Sequence, residues 1–157
     1  MNTVTLLQPP RIVFGNGCAA QAVEFFTQRR LKRVLLVTSK SVRPQIQALT
    51  DAFHAAGCSV VESRFVPTEP TLSFFGTMLA EASASKIDSV LGIGGGSTID
   101  VAKLVAALAR SEQCVSQVFG VNLLHARALP LVCLPTTAAA FSRRRLPDGG
   151  TLARPHD

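Results

Sequence analysis

Apolar residues along the chain fall into short runs separated by amphipathic stretches, and the alternation of the two predicts a layered fold. Residues 33–38 (RVLLVT) and 89–93 (SVLGI) are near-continuous apolar runs of strand length, as expected for strands covered on both faces. Residues 11–14 (RIVF), 59–65 and 130–134 (PLVCL) read as further strands. Between them, apolar positions recur at helical spacing, predicting helices over 18–29, 43–56, 72–84 and 98–109. Within 43–56, Ile46, Leu49 and Phe53 share one face and Gly57 follows as a stop. Pro67 and Pro70 make VPTEPT a loop, and 111–128 has no clear period. Strand and helix alternate with long crossovers, which predicts an α/β fold: a Rossmann-like parallel sheet with helices on both faces. Such sheets bind ligands at the carboxyl ends of their strands.

Two glycine turns compete for that role. Gly15-x-Gly17-x-x-Ala20 formally matches a dinucleotide fingerprint after a first strand. The acidic residue expected at the end of the second strand is absent, because that strand runs into Thr38-Ser39-Lys40. A tight turn into a helix accounts for this stretch. The run GIGGGSTIDVAK (92–103) is more telling. Gly94, Gly95 and Gly96 would let a ligand approach the backbone, and Ser97 is placed to cap the next helix. Amides at that helix start suit a phosphate. It is not a Walker A loop, since no Lys-Ser/Thr follows the last glycine. Asp100 is expected in the first helical turn, with Lys103 placed to pair with it.

Composition narrows the picture. The chain has 157 residues, one-domain length, and its 47% hydrophobic and 17% charged content is that of a core-forming protein. No apolar stretch reaches a membrane span, and the N-terminus lacks a secretory pattern. The net charge of +6 raises nucleic-acid binding. A share of +2 sits in residues 143–157, the rest is dispersed, and there is no Tyr or Trp to stack bases, so no nucleic-acid partner is expected. Arg29, Arg30, Lys32 and Arg33 cluster where a helix C-terminus would favour cations. Cys18, Cys58, Cys114 and Cys133 lack metal or disulfide spacing and read as free thiols of a cytoplasmic protein.

These residues carry a resemblance. GGGSTIDVAK is similar to the GGGSxxDxAK motif of the iron-containing (group III metal-dependent) alcohol dehydrogenases. PRIVFGNG, VLLVTSKS, VPTEPT and LPLVCLPTTA resemble further segments of that family in order, over residues 10–138. The resemblance implies an N-terminal domain binding NAD or NADP, followed in the family by a helical domain holding iron or zinc, often in homodimers. It implies hydride transfer between the nicotinamide dinucleotide and a small alcohol or carbonyl substrate. Carried over by position, Gly95, Gly96 and Ser97 would hold the pyrophosphate. Thr136 and Thr137 would contact the cofactor, and Asp100 would lie beside it. Ser39 falls where many members carry an Asp for the ribose, and with Lys40 and Arg43 nearby it leaves NADP open. A maleylacetate reductase, a glycerol dehydrogenase-like enzyme or a non-catalytic nucleotide-binding module are alternatives.

After Ala138 the family's G-T-G-S-E is replaced by AAFSRRRLPDGGTLARPHD. The expectation is a nucleotide domain over 1–138, a disordered tail over 139–157, no metal domain, and no alcohol oxidation by the chain alone. Neither His54, His125 nor His156 has the partner spacing of a metal ligand.

Overall fold

The computed structural model describes residues 9–118, 120, 123–125 and 128–137. The reading of the tail, and of His156 within it, lies outside the described residues. Helix α1 (Ala20–Gln28) leads to β1 (Arg33–Thr38), and a 3-10 turn at Arg43–Ile46 opens α2 (Gln47–Ala55). Then follow β2 (Ser59–Glu62), α3 (Leu72–Ala84), β3 (Ser89–Gly94), α4 (Gly96–Leu108), a 3-10 turn at Val115–Val118 and β4 (Leu131–Pro135). The strands form one sheet, ordered β2-β1-β3-β4, and all three pairings are parallel. That is the doubly covered α/β fold anticipated.

Alternation along the strands divides the core into two layers. Leu35, Val37 and Val90 pack with Phe75, Met78, Val101 and Val105 of α3 and α4. Val34, Leu36, Leu91 and Ile93 pack with Ala22, Phe26 and Phe53 of α1 and α2. The Phe26 and Phe53 rings meet edge-on, 5.3 Å between centroids. Both are fully buried, and each such side chain contributes about 2–3 kcal/mol of burial. Gly92 lies on the α4 side, where a Cβ would come within 2.6 Å of Ala102 Cβ. Its bare backbone is what lets α4 lie so close to the sheet.

The amino ends of the strands are closed by Asp88. One carboxylate oxygen accepts the amides of Lys32 at 2.6 Å and Arg33 at 3.0 Å, and the other accepts the Ser89 hydroxyl at 2.7 Å. At the opposite edge, buried Thr38 donates its hydroxyl to the Ile93 carbonyl at 2.9 Å, joining β1 to β3.

Several sequence expectations are corrected. Residues 11–14 form no strand, and Ile12 and Phe14 are 50% and 76% exposed. An apolar triplet becomes a strand only where it pairs with another, and none of the described strands pairs with residues 11–14. β2 stops at Glu62 instead of 65, and the helix expected over 43–56 begins as a 3-10 turn, the Gln45 amide donating three residues back to the Val42 carbonyl at 2.9 Å. α1 ends at Gln28, so of the basic cluster only Arg29 occupies the helix end, where its guanidinium stacks 3.9 Å from the Phe25 ring. α4 starts at Gly96, two residues earlier than read. Asp100 therefore falls in the second turn, and the cap is Gly95, not Ser97.

Candidate functional site

The sheet order places a topological switch between β1 and β3. From β1 the chain moves outward to β2, and from β3 it moves the other way to β4. The loops leaving β1 and β3 therefore diverge, opening a crevice at their carboxyl ends. The glycine run leaves β3 at this crevice. Gly94 has φ +157°, and a Cβ there would press within 2.7–3.0 Å of the Thr98 side chain. The tight exit thus requires glycine at 94. At Gly95 a Cβ would meet only Thr137, at 3.7 Å, so the surface over this residue stays open toward the β4 loop.

Gly95 is extended and caps α4 without a side-chain bond. The first helical amide bond is donated by Ile99 to the Gly95 carbonyl at 3.0 Å. The amides of Gly96, Ser97 and Thr98 precede it and have no carbonyl within the helix, so they present partial positive charge at one end. Ser97 donates its hydroxyl to the Thr68 carbonyl at 2.7 Å, which is why it does not cap. The bond ties the first turn of α4 to the loop over 66–71. That loop is held to β1 by the Val66 amide on the Thr38 carbonyl, at 2.9 Å, and Thr71 at its end caps α3 by accepting the Phe74 amide.

β4 brings the second wall. The register pairs Gly94 with Pro135, and the Thr136 amide donates to the Gly94 carbonyl at 3.0 Å. Thr136 and Thr137 are exposed beside the glycine run. Gly94, Gly95, Gly96, Ser97, Thr136 and Thr137 are thus gathered on one edge. Asp100 points elsewhere: its carboxylate, 54% exposed, pairs with Lys103 at 3.3 Å, as the spacing anticipated. Ser39 stands at the end of β1, its hydroxyl 3.2 Å from that of Ser41. Arg43 is engaged, contrary to its expected availability. Its Nε and Nη2 donate to Glu62 at 2.9 and 2.6 Å and its Nη1 to Gln47 at 2.9 Å, and the Glu62 bond raises its already high pKa.

The turn at Gly15–Gly17 is different in kind. Gly15 and Gly17 have φ +141° and +71°, and added Cβ atoms would meet nothing within 4 Å. The turn closes on itself through Cys18 and Ala20 amides donated to the Gly15 and Gly17 carbonyls. Among the described residues no three His, Cys, Asp or Glu side chains converge as a metal site, and His54 and His125 are exposed. No helix among them is long and apolar enough to cross a membrane. None of the four cysteines forms a disulfide.

Sequence reasoning missed Gly92, Thr38, the Thr68 carbonyl and the Arg43–Glu62 pair. A glycine inside an apolar strand is a signal of close backbone approach, so Gly92 was findable. The others depend on partners distant in the chain.

Comparison with known proteins gives a consistent result. The sequence pattern of the iron-containing alcohol dehydrogenases matches residues 9–143. Long-chain-alcohol dehydrogenase 1 of Geobacillus thermodenitrificans is 30% identical over 147 residues, 90% of this chain and 37% of that protein. Sulfoacetaldehyde reductase of Bilophila wadsworthia is 28% identical over 134 residues, 84% of this chain and 35% of that one. The crystal structure of NADH-dependent butanol dehydrogenase A from Thermotoga maritima superposes with a TM-score of 0.74 at 28% identity, covering 85% of this chain and 34% of the other. The chain spans about a third of the length of the relatives it matches.

Proposed function

The chain belongs to the iron-containing alcohol dehydrogenase family, and from that premise we propose that residues 1–138 form its NAD(P)-binding domain, within a cytoplasmic enzyme that moves hydride between the dinucleotide and an alcohol/carbonyl pair. The observation that carries the reading is the crevice edge itself: a glycine exit from β3, unpaired helix amides and a threonine loop, all gathered at the switch point.

The residues present fit a dinucleotide. The amides of Gly96, Ser97 and Thr98 supply donors for a pyrophosphate, and the open surface over Gly95 admits it without a side chain in the way. Thr136 and Thr137 wall the neighbouring side, and Thr137 closes on Gly95. The Thr38–Ile93 and Ser97–Thr68 bonds hold these parts in fixed relation before a ligand arrives, which limits the ordering cost of binding. When bound, the nicotinamide supplies the hydride chemistry. The family is iron-containing, but among the described residues no three His, Cys, Asp or Glu side chains come together to hold a metal. The relatives' names span long-chain alcohols and sulfoacetaldehyde, so the substrate is proposed only as a small or chain alcohol and its carbonyl partner.

Titration of the chain with NADH and NADPH, followed by the change in nicotinamide fluorescence, tests the reading. Saturable binding displaced by ADP-ribose, which carries the pyrophosphate without the nicotinamide, is expected. A folded chain that binds neither dinucleotide would overturn it.

A further inference from the structure

The carboxyl edge of the sheet holds the glycine run, and the opposite, amino edge collects charge. The turns that lead from α1 into β1 and from α3 into β3, and the turn that follows α4, carry Arg29, Arg30, Lys32, Arg33, Lys86 and Arg110, all exposed. None of the six makes an ion pair among the described residues, whereas Arg43, Arg64 and Lys103 elsewhere do. Arg33 and Asp88 are neighbours across the strand starts, the Asp88 amide donating to the Arg33 carbonyl at 3.0 Å. Arg110 reaches the same place by donating to the Ile87 carbonyl. The cations thus span the sheet and the helical layers on its two faces. Acid is scarce here. The Asp88 oxygens already accept the Lys32 and Arg33 amides and the Ser89 hydroxyl, and Glu112 is the other carboxylate of these turns.

Helix ends favour cations, and α1, α3 and α4 all finish at this edge. That does not account for where two of the six sit. Behind α1, α2 and α3 the chain turns through a left-handed residue: Gly57 after α2 at φ +74°, but Arg30 after α1 at φ +56° and Lys86 after α3 at φ +50°. Glycine is the low-cost occupant of that position, and any side chain strains it. A cation kept there points to use of the charge itself.

The kind of partner follows from what else the edge lacks. Among the described residues, no large exposed apolar side chain belongs to these turns, and the Phe25 ring lies under the Arg29 guanidinium, 3.9 Å from its centroid. Stable docking on a protein or a lipid surface draws on apolar anchors, and stacking of unpaired bases needs a free ring. A duplex backbone needs neither, only cations fitted to phosphate oxygens, which arginine meets with paired donors. We propose that the amino edge docks the phosphate backbone of a nucleic-acid duplex without reading its sequence. Along the chain these charges are dispersed, which is why the sequence alone gives no such expectation; folding gathers them.

Fluorescence anisotropy of a labelled duplex of about 20 base pairs, titrated with the full chain at several salt concentrations, tests this. Log affinity should fall with log salt by about 0.9 per phosphate contact, a slope of roughly −3 to −5. The double variant Arg30→Gly/Lys86→Gly should bind about tenfold more weakly, with a slope shallower by about 2, yet melt a few degrees higher as the strain is removed. Glu112→Gln should tighten binding about two- to threefold. Lys40→Gln removes an equal charge at the far end of β1, a span of about 17–20 Å against a screening length of about 10 Å, and should change binding little. Poly-glutamate or phosphatidylserine vesicles bound as tightly as the duplex would overturn the proposal. So would a double variant that loses stability and keeps the duplex, or an equal loss of binding in Lys40→Gln.

Discussion

The two glycine turns look alike in one dimension and share little in three. Gly15-x-Gly17 keeps the spacing of a nucleotide fingerprint, with two glycines in conformations that side chains avoid. Yet it lies outside the sheet and bonds within itself, and a Cβ added at either glycine would meet nothing within 4 Å. The run at Gly94–Gly96 sits between a fully buried strand and a helix whose first turn is tied to a neighbouring loop. What separates a phosphate cradle from a bend is the company of other strand ends. Glycine supplies access; the sheet supplies the direction in which access is useful.

The strongest way to break this contrast is a paired substitution. Gly95→Val should place branched methyls over the open surface and reduce dinucleotide affinity by about 100-fold or more, with the melting temperature little changed. Gly17→Ala should keep affinity and cost about 1–2 kcal/mol of stability, because φ +71° disfavours any side chain. Calorimetry of both variants with NADPH and NADH decides, and the opposite pattern would reverse the two assignments. Gly95→Ala is a useful intermediate, since its Cβ meets Thr137 only at ordinary contact distance.

A second contrast concerns packing and not binding. Gly92→Ala forces two carbons to 2.6 Å and should destabilise by about 1–3 kcal/mol, while Gly76→Ala, exposed on α3 with nothing within 4 Å, should stabilise by up to about 1 kcal/mol. Chemical denaturation of the two variants measures this directly. Thiol chemistry gives a milder readout of the same division between framework and periphery. Burial pushes the Cys58 thiol up, whereas a hydrogen bond with Ser116 brings exposed Cys114 down. Maleimide labelling of the native chain should modify Cys114 well before Cys58, and comparable rates would mean that the layer around Phe53 is not tightly packed.

The smallest effect is expected from the surface pair Arg64–Glu81, 2.6 Å apart. Its hydrogen bond from Arg64 holds Glu81 below its ordinary value. A lowered folded-state pKa adds stability above the unfolded value, lost as pH falls through the folded one. Glu81→Gln should therefore flatten the acid limb of a melting-temperature profile slightly and change nothing at neutral pH beyond the loss of a weak exposed pair.

Much of the architecture was legible because burial on both sides of a sheet leaves a local trace. β1 and α3 have the bounds that the sequence pattern suggests, and β3 extends only one residue further. Legibility ended where the deciding partner is remote. Ile12, Val13 and Phe14 have strand-like chemistry, but no local feature says whether an edge is free to pair with them. Ser97 has the chemistry of a cap, but its hydroxyl is claimed by Thr68, twenty-nine positions earlier. Arg43 reads as a free cation until Glu62, brought alongside by strand pairing, accepts it. The glycine run and the two threonines were readable as a set only through the family resemblance, since nothing near Gly94 announces that Pro135 will lie beside it.

The strand order also sets a timetable. Every pairing in this sheet joins segments far apart in the chain: Arg33 with Ser59, Val34 with Ser89, Val90 with Leu131. Parallel partners of this kind close large loops before any contact rewards them, which places folding nearer milliseconds to seconds than microseconds. β1 can be flanked on both sides by the time residue 94 has been synthesised, whereas β4 can add only once residues 131–135 have been made. The Thr136 amide reaches the Gly94 carbonyl only when β4 docks. During synthesis, the edge that gathers Gly94 and Thr136 therefore forms after the β2-β1-β3 part of the sheet.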